Sequence, residues 1–306
     1  MTKQKLPNFF ILGAAKCGTT SLYYYLKQHP EIYLPRIKEP HFFDNDRFWS
    51  EGVDSYIKRH FRRAAGFPAR GEATPAYFHC GQKVIARMKE VFGTEVPKFI
   101  LIFRHPVDRA WSHYLHCVRY GEESETFERA LALEEERLSS NPCKWVGYFR
   151  DGLYAKQLKL WLEAFPKENF FYLITEDLAK NTIASLQNIC RFLGVNPNYP
   201  FRIHKRLNVA SAPRSLWLMK LIKGPSSIKK PIKFLLGPYW SYHLKRALMR
   251  LNMKPIKRPL RLDPRIEKLL LKRYTQDILE LQELIGRDLS GWLKRGDKYE
   301  TPYQCS

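Results

Sequence analysis

Short apolar runs closed by a glycine or a polar turn, separated by stretches in which apolar residues recur every three or four positions, set the rhythm of this chain. Residues 9–14 (FFILGA) form such a run. A polar turn follows, and then TSLYYYLKQHP, whose spacing predicts a helix stopped at Pro30. The unit returns at 98–104 (KFILIFR), which reads as a fully buried strand. The residues after it, HPVDRAWSHYLHCVRYG, predict a helix with Pro106 in the first turn, where a backbone N–H would have no partner anyway. A third strand is predicted at 170–175 (FFYLIT), and helical spacing fills 82–93, 126–138, 153–166 and 182–195. Strands alternating with helices predict an α/β fold, a three-layer sandwich around a central parallel sheet.

Past Pro200 the chain turns basic and Pro-punctuated, with Trp217, Tyr239 and Trp240, before a long helix predicted from Pro264 to Ile285 and a closing RDLSGWL. That helix carries an apolar stripe (Ile266, Leu269, Leu270, Tyr274, Ile278, Leu281) that should pack back on the core. Residues 1–200 are therefore read as the core, and 201–306 as a helical, basic C-terminal extension or lid packing on the same domain. There are no internal repeats.

With 306 residues, 44% of them apolar and 14% aromatic, the chain can bury a full core. Its formal charge of +22 exceeds what solubility needs and points to an anionic substrate, an acidic polymer or an anionic membrane surface. The excess is concentrated: between Asp177 and Asp263 there are 18 Lys or Arg residues and no acidic one. No run reaches the roughly 18 apolar residues of a spanning helix, and the start (MTKQKLPN) lacks a signal-peptide core, so a cytoplasmic protein is expected, with peripheral membrane contact through the basic region as an option. The six cysteines (Cys17, Cys80, Cys117, Cys143, Cys190, Cys305) show no disulfide framework or zinc spacing, and free thiols are expected.

The chemistry concentrates at the strand ends. In GAAKCGTTS, Gly13 and Gly18 have the spacing of a phosphate-binding loop between a strand and a helix, which predicts a P-loop-like anion site. An ATP-binding loop needs Lys directly after the second glycine; here Thr19 stands there, and the loop's only lysine is Lys16. A single phosphosulfate asks for less: backbone amides, hydroxyls and one cation, which Lys16, Gly18, Thr19, Thr20 and Ser21 supply. The plainer alternative is a Gly-Thr-Thr turn that only caps a helix.

Four motifs in order, FFILGAAKCGTTSL, then KEPHFFD with GEATPAYF, then LIFRHPVDRAWSHYLH, and finally LIGRDLSGWL, resemble the PAPS-dependent sulfotransferases (PAPS being 3′-phosphoadenosine-5′-phosphosulfate). The likeness is greatest to the branch of the heparan sulfate sulfotransferases and their bacterial relatives. It implies that Arg104 and Ser112 hold the donor's 3′-phosphate, that Glu39 of KEPHFFD is the general base, and that His116, one turn after Ser112, acts near the transferred group. His41, two residues from Glu39, competes less well for the base role, and Arg109 pairs within its own helix. The chain departs from that branch at Glu72-Ala73-Thr74-Pro75, where the heparan enzymes have Lys after the Glu. It also lacks their late Gly-Arg loop flanked by a disulfide; residues 205–215 stand in its place, with Arg214 as a candidate donor contact.

The resemblance implies transfer of a sulfuryl group from PAPS to a hydroxyl or amine without a metal, with Lys16 and His116 neutralising charge on the transferred oxygens. An acidic glycan is the first expected acceptor, a lipid-linked or membrane-near one the second, a small phenol or alcohol the third; no nucleic-acid partner is expected. Two rivals share part of the pattern. A small-molecule or nucleotide kinase would use the same strand, loop and helix, and a non-enzymatic binder of acidic polymers would need only the charge.

Overall fold

The structure, a computed structural model, describes residues 5–141, 143–203 and 261–294, with 211–213, 215, 248 and 251–255 between them. Arg214, Trp217, Tyr239, Trp240 and Cys305 lie outside the described residues.

Five parallel strands form the central sheet: β1 (Phe9–Gly13), β2 (Ile32–Tyr33), β3 (Ala69–Ala73), β4 (Lys98–Phe103) and β5 (Phe170–Ile174), in the order β2-β3-β1-β4-β5. β1 is buried at every position, as expected of a parallel strand covered on both faces. Each Phe, Leu or Ile so enclosed contributes about 1.5–3 kcal/mol of hydrophobic stabilisation. Helices cover both faces. On one, Phe10 meets Phe92 of α5 (Gly81–Phe92), and Phe99 meets Trp161 of α9 (Tyr154–Ala164). On the other, Phe171 of β5 packs on Phe192 of α11 (Thr182–Leu193). The expected three-layer sandwich is thus present, and α1 (Thr19–Leu26) and α6 (Pro106–Arg119) follow β1 and β4 directly.

The other α-helices among the described residues are α2 (Asp46–Ser50), α3 (Gly52–Tyr56), α4 (Ala76–His79), α7 (Phe127–Ala132), α8 (Glu134–Ser139), α10 (Thr175–Lys180), α12 (Pro264–Ile285) and α13 (Ser290–Leu293). α12 has the predicted bounds and packs on α9 and α6 through Leu270, Tyr274, Ile278 and Leu281. Leu269, assigned to the same stripe, is instead 58% exposed, because it lies on the shoulder of the helix turned away from α9. A short antiparallel pair, β6 (Ser211–Pro213) with β7 (Met253–Pro255), is the other described sheet. The cysteine expectation needs correction too: Cys80 and Cys143 form a disulfide, with Cα atoms 5.1 Å apart, while Cys17, Cys117 and Cys190 are free and buried. Folding brings these two together across 63 residues, a pairing no local spacing could reveal.

Candidate active site

The strand order dictates where a ligand can sit. β1 and β4 are neighbours in the middle of the sheet, but the chain leaves β1 toward β3 and β2 and leaves β4 toward β5. Their outgoing loops diverge and open a crevice at the carboxyl ends of the two strands, the usual ligand position in open α/β sheets.

The β1 side is an anion loop. Gly13 packs so closely that a Cβ there would meet Phe78 Cβ at 2.7 Å, and Gly18 begins α1 at φ 106°, a conformation that favours glycine. As Gly18 has no side chain to cap the helix, and no acidic residue occupies its first turn, the amides of Thr19, Thr20 and Ser21 are left for an anion. This disfavours the simple capping alternative. Lys16 stands within the loop at φ 70°. Burial, with the Arg119 guanidinium adding to it, lowers its ammonium to about 8.

On the β4 side, Arg104 follows the last strand residue, its side chain about one third exposed and its guanidinium 3.9 Å from Asp108. Helix α6 then presents Ser112, His116 and Arg119 on one stripe, since these are spaced four and three apart. His116 Nδ1 lies 3.1 Å from Lys16 Nζ. An ammonium only donates, so the imidazole accepts through Nδ1, which leaves Nε2 to carry the ring proton. Arg109 and His113 point the other way and are buried. Arg109 pairs with His113 in its own helix, as expected, but also reaches out to the carbonyls of Gly147 and Tyr148 and lies 3.9 Å from Asp151.

The two halves are tied together by residues that the sequence reading did not single out. The Thr175 hydroxyl shares its hydrogen between the Cys17 carbonyl at 2.6 Å and the Phe103 carbonyl at 3.0 Å. Tyr154 donates to the Arg104 carbonyl at 3.0 Å and touches Cys17 Sγ at 3.4 Å. Lys16 and Arg104 are close enough for the guanidinium to depress the ammonium.

Glu39 approaches from the segment after β2, and the Lys16 ammonium feels its charge. Its carboxylate contacts Lys38 and lies 3.7 Å from His41 Nε2. Burial opposes ionisation, but His41 and Lys38 outweigh it and hold the acid down to about 2. For His41, burial works against charge, yet hydrogen bonds to Asp44, 2.8 Å away, and to Glu39 raise it to about 10. His41 is therefore an imidazolium at neutral pH, unsuited to act as a base. Lys16, Glu39 and His41 are the three non-glycine residues with left-handed backbone among the described residues. Such strain persists where surrounding structure enforces it and concentrates at functional sites. Arg119 could have been found from its i, i+7 relation to Ser112; its Nε has no hydrogen-bond partner among the described residues.

Comparison with known proteins gives the site a context. The model of the sulfotransferase domain matches residues 6–228. Over 200 residues the chain is 30% identical to the heparan sulfate glucosamine 3-O-sulfotransferase 5 of Mus musculus, covering 63% of this chain and 55% of that one. Carbohydrate sulfotransferase 15 of Mus musculus is 27% identical over 294 residues, 77% of this chain and 49% of the relative. The chain thus spans about half the length of these curated relatives. Among solved structures, a sulfotransferase from Alicyclobacillus acidocaldarius superposes with a TM-score of 0.67 at 29% identity, covering 94% of this chain and 98% of that one.

Proposed function

Because the chain belongs to the sulfotransferase domain family, we propose that it moves a sulfuryl group from PAPS to a hydroxyl or amine of an acidic glycan. The observation that supports this reading is that two groups suited to anions lie at adjacent strand ends: Lys16 with the α1 amides after β1, and Arg104 followed by the helix that carries Ser112 after β4. A nucleotide with phosphate groups at its 5′ and 3′ positions fits this division, since each end finds its own cation and hydroxyls. Neither a kinase nor a passive polymer binder accounts for Thr19 after Gly18 together with a second pocket at Arg104.

In this mechanism Lys16 and the loop amides hold the 5′-phosphosulfate, and Arg104 and Ser112 hold the 3′-phosphate. Glu39 takes the acceptor's proton as the new bond to sulfur forms and the sulfur–oxygen bond to the phosphate breaks, releasing PAP, the desulfated nucleotide. A carboxylate held near 2 is ionised but weakly basic. Acceptor entry that separates Lys38 or His41 from it would raise its basicity at the moment of transfer. Lys16 donates to the oxygens on which charge accumulates, and the Nε2–H of His116 is a second donor for them. The glycan acceptor is supported by the relatives, named for heparan sulfate and carbohydrate, and by the positive charge of the chain.

The test is transfer from radiolabelled PAPS over a panel of glycans, phenols and lipid-linked acceptors, with Glu39→Gln as control. That variant should lose roughly 10²- to 10⁴-fold in turnover while binding PAP normally. Full activity would remove Glu39 from the mechanism, and tight magnesium-dependent ATP binding with no PAP binding would overturn the donor assignment.

A further inference from the structure

Behind the loop that presents Glu39 lies a carboxylate that the transfer chemistry does not use. Glu72 is fully buried on β3, opposite Phe10 in the pairing with β1. Among the described residues it forms no ion pair; hydroxyls surround it instead. Tyr56 and Tyr77 donate to Oε1 at 2.6 and 3.1 Å, and Thr74 donates to Oε2 at 2.8 Å.

The direction of these bonds matters. A phenol has one hydrogen, and Tyr77 gives it to Glu72, so its lone pairs are free to accept. They accept the backbone N–H groups of Phe42 at 2.9 Å and Phe43 at 3.3 Å. Those two residues close the segment that begins with Glu39, at φ 65°, and His41, at φ 55°. Their rings are held by the same partners: Phe42 stacks on Tyr56 with centroids 4.4 Å apart, and Phe43 meets Tyr77 edge-on at 5.7 Å. Burial raises the Glu72 acid to about 7 against the pull of the three hydroxyls; in its charged form it accepts all three at once, whereas the neutral acid would have to donate and turn one of them around. An apolar residue at 72 would leave the Tyr77 hydrogen without this acceptor.

We infer that Glu72 is a positioning residue for the transfer reaction: through the Tyr77 hydroxyl it anchors the Phe42 and Phe43 amides and so fixes how Glu39 faces the acceptor. The inference rests on the reading of Glu39 as the base. The donor pockets belong to other loops, so the anchor acts on turnover and leaves nucleotide binding alone.

Tyr77→Phe removes the hydroxyl and keeps the ring. Tyr56→Phe breaks a hydrogen bond to the same carboxylate but none to the Glu39 segment; Glu72→Gln keeps an oxygen for Tyr77 to donate to, and Glu72→Met takes it away. The measurements are turnover, PAP affinity and melting temperature for each, with Tyr77→Phe repeated on Glu39→Gln. Tyr77→Phe should lower kcat about tenfold or more, since small misplacements of catalytic groups have effects of this size, while the Kd for PAP stays within about twofold. Glu72→Met should behave alike, Glu72→Gln and Tyr56→Phe should keep most of their turnover, and the Tyr77→Phe loss should vanish on Glu39→Gln. Unchanged kcat in Tyr77→Phe, equal losses in both phenol variants, or a full loss persisting on Glu39→Gln would overturn the anchor. Full activity in Glu39→Gln alone would overturn the base reading, so the two failures are distinguishable.

Discussion

At Lys16, burial and the neighbouring Arg119 bring the ammonium to about 8, and a bound phosphosulfate or PAP favours its charged form. Below that pH the group is already protonated, so affinity for PAP should be flat. Above it, binding must take up a proton, and the Kd should rise toward tenfold per pH unit. Titrations from pH 6 to 10 will show the break, and Lys16→Arg, whose guanidinium stays charged, should remove it. Arg104 makes a different prediction. If it holds the 3′-phosphate, Arg104→Ala should erase the preference for PAP over adenosine 5′-phosphate, a loss of about 10- to 100-fold for a hydrogen bond to a charged group. Competition binding reads this directly. Of the candidate residues, Lys16 and Gly18 stand out in the sequence through the glycine spacing of a strand-end loop, whereas Arg104 and Glu39 stand out only through the resemblance of their motifs to the sulfotransferases. Glu72, Tyr77, Tyr154 and Thr175 were not, because they act through hydroxyls on distant main-chain atoms, and a tyrosine or threonine carries no sign of which carbonyl it will meet.

Among the elements, the apolar strands β1, β4 and β5 and the helices α1, α5, α6, α9, α11 and α12 follow from periodicity, whereas α2, α3 and α4 do not, and the single helix expected over 126–138 is divided into α7 and α8. β3 was hidden, since ARGEA reads as a polar turn until Glu72 is seen satisfied by three hydroxyls, and β2 has only two residues, too few for a pattern. α10 shows how a short helix can matter: its first residue, Thr175, fastens the anion loop to the end of β4. Thr175→Val should lower stability by about 1–3 kcal/mol, the cost of leaving buried carbonyls short of a donor. PAP affinity should fall with it, since Lys16 and Arg104 lose their common fastening. Thermal melting with and without PAP separates the two effects, and a variant that melts lower but gains the same shift from PAP would contradict the fastening role.

For the molecule as a whole, the formal charge of +22 predicts that binding of a sulfated or carboxylated glycan weakens steeply with salt, while PAP, if gripped by the half-buried Lys16 and Arg104, should respond less. Parallel titrations between about 50 and 300 mM salt, a range over which screening changes strongly, give the two slopes. The Cys80–Cys143 bond closes a stretch of 63 residues, for which chain entropy predicts about 4 kcal/mol of stabilisation. Cys143→Ser and a thiol reductant acting on the wild type should then lower the melting temperature alike. No helix among the described residues is long and apolar enough to cross a membrane.

The strand order β2-β3-β1-β4-β5 has a consequence for how such a chain can diversify. Both proposed nucleotide grips spring from the middle of the sheet, whereas Glu39 rides on the excursion between β2 and β3, toward one margin. Rewriting that excursion could retool the enzyme for another recipient molecule without disturbing the socket for its universal currency.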